Sequence, residues 1–510
     1  LSGRLAADLG TLAVGTAAGR DLSGLKLDVE LPGGDQGPQL KANLVYKGEP
    51  VAAVARLAPL RDLASGGTFP ATLAVDSKPV TLRYDGTVRQ QPQPGLDGAF
   101  QVAIPSVGAF AAWMGQPLAG GQPDPGPLEI RGALAGDGTT LALRDGVVTG
   151  RAVKATAQGR LDRGADPMAF DAKIAIEQAD LDAYLPPATA QPAAAPDKGS
   201  APSTGWSTEP IDLAALGAAA GKAEVTLAAI RYRGLEIARG AATLTLAGRV
   251  LEVAAREIAL AQGRIDGAVK LDASRGGVAL DQRVTVAGVQ ARPLLRALAD
   301  TDRLSGTIDF ETAVKGSGRT EMELVSSLGG SGRFKVTDGS IYGINLAAAL
   351  RRAGSLGLGG GEAEKTDFAE LGGSYTIRAG VVENRDLAML APLLRLSGGG
   401  TVALPPRTLD YTVEAKLVPT LEGQGGADAL AGVPIPIRIT GPWSSPGFQP
   451  DWTSVARGMA ANPQQLRNLP GELGKAAQGL GALRGAAPAP DVRKALPDLP
   501  VELPKGLFGR

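Results

Sequence analysis

Apolar and polar residues alternate with period two along much of this chain, which predicts a mainly β fold. The expected architecture is a long antiparallel, repeat-like curled sheet (a β-groove) with a few short helices and a helical C-terminal tail. The alternation is clearest where Leu409, Tyr411, Val413, Ala415 and Leu417 point one way and Asp410, Thr412, Glu414 and Lys416 the other. Composition is the second observation. Glycine contributes 71 of 510 residues and aromatics only 4%, which suits many strands joined by tight turns. Third, the strand-like segments follow one another without an obvious closing point, and the bulky side chains that would fill a closed core are scarce.

In chain order, Leu25, Leu27, Val29 and Leu31 alternate with Lys26, Asp28 and Glu30 before the turn Pro32-Gly33-Gly34. Comparable runs lie at 71–75, 80–84, 173–177, 224–227, 243–246, 265–272 and 308–314. Asp85-Gly86, Asp97-Gly98, Asp145-Gly146 and Asp338-Gly339 are expected to be hairpin turns between strands. A hexapeptide match, Ala-Gln-Gly-Arg-Leu-Asp at 157–162 and Ala-Gln-Gly-Arg-Ile-Asp at 261–266, suggests a weak internal repeat. Helix-like patches follow at 180–185 and 292–299, with others at 213–220 and 344–352. The stretch 186–205 is rich in Pro, Ala, Ser and Thr and reads as a semi-rigid linker. After Asp451 the alternation gives way to Leu466, Leu469, Leu473, Leu480 and Leu483 at helical spacings, interrupted by Pro470 and glycines. That tail reads as a loosely ordered closure of the sheet end, with a peripheral membrane-contact helix as the alternative. The regions are thus 1–185, β-rich; 186–205, linker; 206–453, a second β region; and 454–510, a helical and Pro-rich tail.

Several function classes are disfavoured. Lys+Arg and Asp+Glu balance at 52 each, and no basic stripe interleaves with aromatics, so no nucleic-acid partner is expected. With neither cysteine nor histidine, disulfides, Cys/His zinc sites and Ser-His-Asp catalysis are out of reach. The sequence Gly217-Ala-Ala-Ala-Gly221-Lys222-Ala223 is one residue short of a phosphate loop and lacks its Ser/Thr. Carboxylate pairs such as Asp309/Glu311 and Asp410/Glu414 share their faces with Lys, Arg and Thr, as a wet sheet surface does. The expectation is a protein that is not an enzyme, with no catalytic residue, no metal site and no cofactor. No apolar run reaches the roughly 18 residues that span a bilayer.

From about Trp206 to Asp451 the chain resembles the AsmA family of Gram-negative envelope proteins. The resemblance rests on 206–213 (WSTEPIDL), Leu304-Ser305-Gly306-Thr307, 324–334 (LVSSLGGSGRF) and 336–346 (VTDGSIYGINL). It also rests on Leu371-Gly372-Gly373-Ser374-Tyr375, Asn384-Arg385-Asp386-Leu387, Leu409-Asp410-Tyr411 and Pro434-Ile435-Pro436-Ile437. It implies a curled β-sheet whose apolar concave face shields acyl chains between the two membranes. It also implies a link to outer-membrane biogenesis and a periplasmic portion tethered to the inner membrane by an N-terminal helix that this chain does not include.

The expected partners are phospholipid acyl chains, shielded in transfer between inner and outer membrane. Membrane proteins become partners under the alternative reading, a scaffold for outer-membrane protein assembly and targeting. Candidate groove residues, drawn from the apolar strand faces, are Ile308, Phe310, Val314, Phe334, Val336, Leu409, Tyr411, Val413 and Leu417.

Overall fold

Strands dominate the computed structural model of the chain. It describes residues 3–10, 22–32, 36–64, 66–91, 93–118, 123–184, 205–299, 301–343, 365–392, 394–417, 434–443, 446–451 and 454. The expected mainly β class is what is found. The linker, apart from Gly205, the helix at 344–352 and the tail, apart from Ser454, lie outside the described residues. Two compact units form: Leu1–Asp197 with Leu213–Ala259, and Lys198–Asp212 with Leu260–Arg510.

The first unit begins with β1 (Gly3–Gly10), β2 (Leu22–Leu31), β3 (Gln39–Tyr46), β4 (Glu49–Leu57) and helix α1 (Leu60–Ala64). Next come β5 (Thr68–Ser77), β6 (Thr81–Arg89), β7 (Gly95–Ile104), helix α2 (Val107–Met114) and β8 (Leu128–Asp137). It continues through β9 (Thr140–Gly150), β10 (Val153–Asp162), β11 (Met168–Asp180), β12 (Ala219–Tyr232), β13 (Leu235–Ala247) and β14 (Val250–Leu260). From β1 to β13 each strand pairs with its successor, antiparallel at every step but β11–β12, which is parallel.

The second unit holds β15 (Gly263–Asp272), β16 (Val278–Gln290), helix α3 (Ala291–Ala299), β17 (Leu304–Gly318), helix α4 (Glu321–Ser327) and β18 (Gly329–Tyr342). After these come β19 (Lys365–Arg378), β20 (Val381–Ala391), β21 (Leu394–Ala403), β22 (Thr408–Leu417), β23 (Pro434–Pro442) and β24 (Gly447–Pro450). They form a wholly antiparallel meander. Residues 206–211 are laid against this unit. The Trp206 indole donates to the Leu404 carbonyl at 2.8 Å, Ile211 N–H donates to the Arg319 carbonyl at 2.8 Å, and Ser207 N–H donates to Glu321 at 3.0 Å. The Arg407 guanidinium lies 4.4 Å from the Trp206 ring and 5.9 Å from that of Trp443, a cation–π stack that fixes this segment.

Two expectations are corrected. The four Asp-Gly dipeptides are not turns but lie inside β6, β7, β9 and β18. Asp145 and Asp338 have φ near +50° where the register shifts between β9 and β10 and between β17 and β18, so they form bulges. Gly86 pairs directly with Gly98, and their bare Cα atoms leave room for the Tyr84 ring. The actual tight hairpins are Lys47-Gly48, Arg233-Gly234, Gly248-Arg249, Ala261-Gln262 and Ala379-Gly380, where both φ angles are positive as in type I′ turns. The hexapeptide match is not an equivalent pair either: the first copy ends β10, whereas the second opens in the turn before β15.

Direct cross-strand partners share a face. In the first unit one row runs Leu27, Ala42, Ala53, Val75, Leu82, Val102, Ile130, Val148, Ala155, Ile176, Leu227, Gly240, and every member is apolar. It crosses β2 to β13, about 50 Å at roughly 4.8 Å per strand. The side chains of this row are half-buried apart from Ala155, which is buried, so the face is lined with apolar groups that water still reaches. The opposite face is ionic, with Arg83–Asp76 at 2.6 Å, Arg144–Asp97 at 2.5 Å and Lys154–Glu177 at 2.5 Å. Exposed pairs of this kind add only about 0–1 kcal/mol each, and their consequence here is to keep that face wet.

Candidate functional site

The same segregation holds in the second unit. Arg333–Glu311 at 2.7 Å, Lys335–Glu370 at 2.8 Å and Arg438–Asp410 at 3.0 Å mark its polar face. On the other face the register builds parallel rows. One is wholly apolar: Val289, Ile308, Val336, Leu371, Met389, Leu396, Ala415, Ile435. Unlike the row in the first unit, it is a core, with Val289 and Ile435 0% exposed, Met389 1% and Val336 3%. Phe368, Ala391 and Leu394 pack with it.

The candidate groove residues fall on several of these rows. Ile308 and Val336 belong to the core row, and Phe310, Phe334 and Val413 to the row beside it. Val314 and Leu409 lie further across, towards the β15–β16 and β21–β22 turns. Val336 and Val413 are buried, while Ile308, Phe310, Val314, Phe334, Leu409 and Tyr411 are half-buried. Leu417 pairs with Leu394 in the backbone ladder.

Tyr411 stands in a row of another kind, which alternation alone did not reveal: Thr312, Gly332, Tyr375, Asn384, Gly400, Tyr411. Each tyrosine lies across a glycine of the neighbouring strand. A Cβ on Gly332 would collide with the Tyr375 hydroxyl, and one on Gly400 with the Tyr411 ring. Crossing its glycine, the Tyr375 hydroxyl donates to Thr312 Oγ1 at 2.9 Å, and the Tyr411 hydroxyl donates to Asn384 Oδ1. Asn384 is 8% exposed, and its amide donates to the Ser374 carbonyl at 2.6 Å and to Asp386 at 2.8 Å. Ser374 in turn gives its N–H to Asp386 at 2.8 Å and its hydroxyl at 2.7 Å. The legible signal was glycine inside strands, which marks close approach by a neighbour.

The electrostatics follow from this packing. Hydrogen bonds from Ser374 hold the Asp386 carboxyl below its usual range. Burial, aided by the charge of Asp386, pushes the Tyr411 phenol up to about 12. A phenol whose folded value lies above its unfolded value of 10.0 stabilises the fold below pH 10 and loses that contribution as pH rises through the folded value. Stability should therefore fall between about pH 10 and 12. Thermal melts across that window should show a smaller alkaline loss in Tyr411→Phe than in the parent chain.

Among the described residues no group of three or more His, Cys, Asp or Glu could hold a metal ion, and no helix is long and apolar enough to cross a membrane. What the geometry presents is sheets built as meanders, ionic on one face and apolar on the other. Residues 137–387 match the family model of the AsmA family, and over that span the chain is an AsmA family protein. The match takes in β9 to β19 and most of β20, and so includes the Tyr375 and Asn384 positions, while the Leu409-Asp410-Tyr411 and 434–437 motifs lie beyond it. No curated protein matches the sequence.

Proposed function

We propose that this chain shields phospholipid acyl chains on the apolar faces of its sheets. It would thereby support transfer between the inner and outer membranes of a Gram-negative envelope, and so outer-membrane biogenesis. The observation that carries this is the half-exposed apolar row across β2 to β13. A soluble protein rarely leaves so long a contiguous apolar surface in water unless something binds there. An acyl chain fits better than a compact ligand, because the row is long, unbranched and without a polar side chain. Moving a phospholipid through water exposes about 30 methylenes at about 0.8 kcal/mol each, so an apolar track removes most of the barrier while headgroups stay wet. Shielding needs no catalytic group and no cofactor. The working location under this reading is the periplasm.

Native mass spectrometry with lipid extraction, on the chain purified from a Gram-negative envelope, tests the proposal. Several co-purified phospholipids per chain are expected. A lipid-free, monodisperse chain would count against the lipid role and favour a scaffold for outer-membrane protein assembly.

A further inference from the structure

One edge of the first unit's sheet carries a feature that lipid shielding does not use. The β3–β4, β5–β6 and β9–β10 turns and the β7–β8 connection all lie at this edge. Helix α2 sits in that connection and runs back past the β5–β6 hairpin to the β3–β4 turn. There the Trp113 indole donates to the Tyr46 carbonyl at 3.0 Å, and the two rings meet edge-on at 5.4 Å. Ser106 caps the helix, its side chain accepting from Ala109 N–H, and Gly115 ends it with φ +88°. From Gly98 to Pro123 the sequence has no charged residue. Although apolar throughout, α2 buries none of its residues, and Met114 is 42% exposed.

The turns around it are basic. Lys47, Lys78 and Arg151 sit at the tips of the β3–β4, β5–β6 and β9–β10 turns, where Glu49, which closes the first turn opposite Tyr46, is the one acid within these three turns. Lys47 Nζ reaches the Met114 carbonyl at 3.1 Å, so one cation is fixed directly beside the helix. The nearby acid Asp124 accepts from the Gly108 and Gly126 N–H groups at 2.9 and 3.0 Å, so part of its charge is spent inside the loop.

We propose that this edge, α2 with its flanking cations, docks on the surface of an anionic lipid bilayer. An uncharged helix offering Trp, Phe and Met suits the boundary between headgroups and acyl chains. Lysines and arginines around it would meet lipid phosphates, each adding attraction that salt screens. The charge complementarity favours a bilayer over a protein partner, since nothing on the helix selects a particular sequence.

The test is co-flotation of the purified chain with vesicles of phosphatidylglycerol and phosphatidylcholine, and separately of phosphatidylcholine alone. Binding to the anionic vesicles, weaker in high salt, is expected. Lys78→Glu, an exposed position that leaves folding intact, should weaken it several-fold, and Phe110→Ser with Met114→Ser should weaken it at least about tenfold. Uptake of a fluorescent fatty acid onto the apolar face, measured in parallel, should not change in these variants, so failure here is distinguishable from failure of the lipid-shielding role. No anionic-vesicle binding by the parent, or equal binding by folded variants, would overturn the proposal.

Discussion

Replacing Leu82 and Ile130 together by aspartate is expected to cut fatty-acid uptake at least about tenfold while shifting the melting temperature by only a few degrees. Both side chains lie on the long row of the first unit, flanking Val102 on β7. Both are half-buried, so a carboxylate at either position stays partly hydrated and avoids the penalty of a buried charge. An acyl chain lying along the row would instead have to strip water from two carboxylates or leave the surface. Titration with a fluorescent fatty acid, beside calorimetry of the same samples, reads both quantities. Unchanged uptake by a folded double variant would sink the idea that this row carries acyl chains.

Ile435→Asp should behave in the opposite way. Ile435 is 0% exposed and closes the core row of the second unit against Ala415. An isolated carboxylate there either ionises in an apolar surround or protonates at a cost, and a loss of about 4 kcal/mol or more is expected. For a unit of this size that corresponds to a fall of about 8–16 °C in its thermal transition. Met389→Ala, which removes a 1% exposed side chain from the same row, should cost about 2–5 kcal/mol without adding charge. A shift of only a degree or two in both variants would show that this row is not a core.

Much of the architecture was legible because it depends on local rules. The alternating runs at 71–75, 173–177 and 308–314 all lie inside strands. Helix α4 was legible too but went unread: Thr320 accepts from Glu323 N–H at 3.1 Å while Glu323 accepts from Arg319 N–H at 2.7 Å, a T-x-x-E start of the capping-box kind. The Asp-Gly dipeptides misled because positive φ, as at Asp145 and Asp338, serves bulges as well as turns, and because glycine, as at Gly86 and Gly98, also serves close approach by a neighbouring ring; only the partner strand decides which. The row from Thr312 to Tyr411 could not be assembled from sequence, since it joins residues up to about a hundred positions apart through five successive registers.

The sequence by itself determined that each strand has an apolar and an ionic side, because successive side chains on an extended backbone point to opposite faces. Tertiary structure alone decided what becomes of the apolar side. Val75 and Met389 occupy the same kind of position, yet Val75 is half-exposed and Met389 is 1% exposed. The difference lies in which neighbours each register brings alongside. Burial depends on those packed neighbours, and period-two alternation carries no information about them.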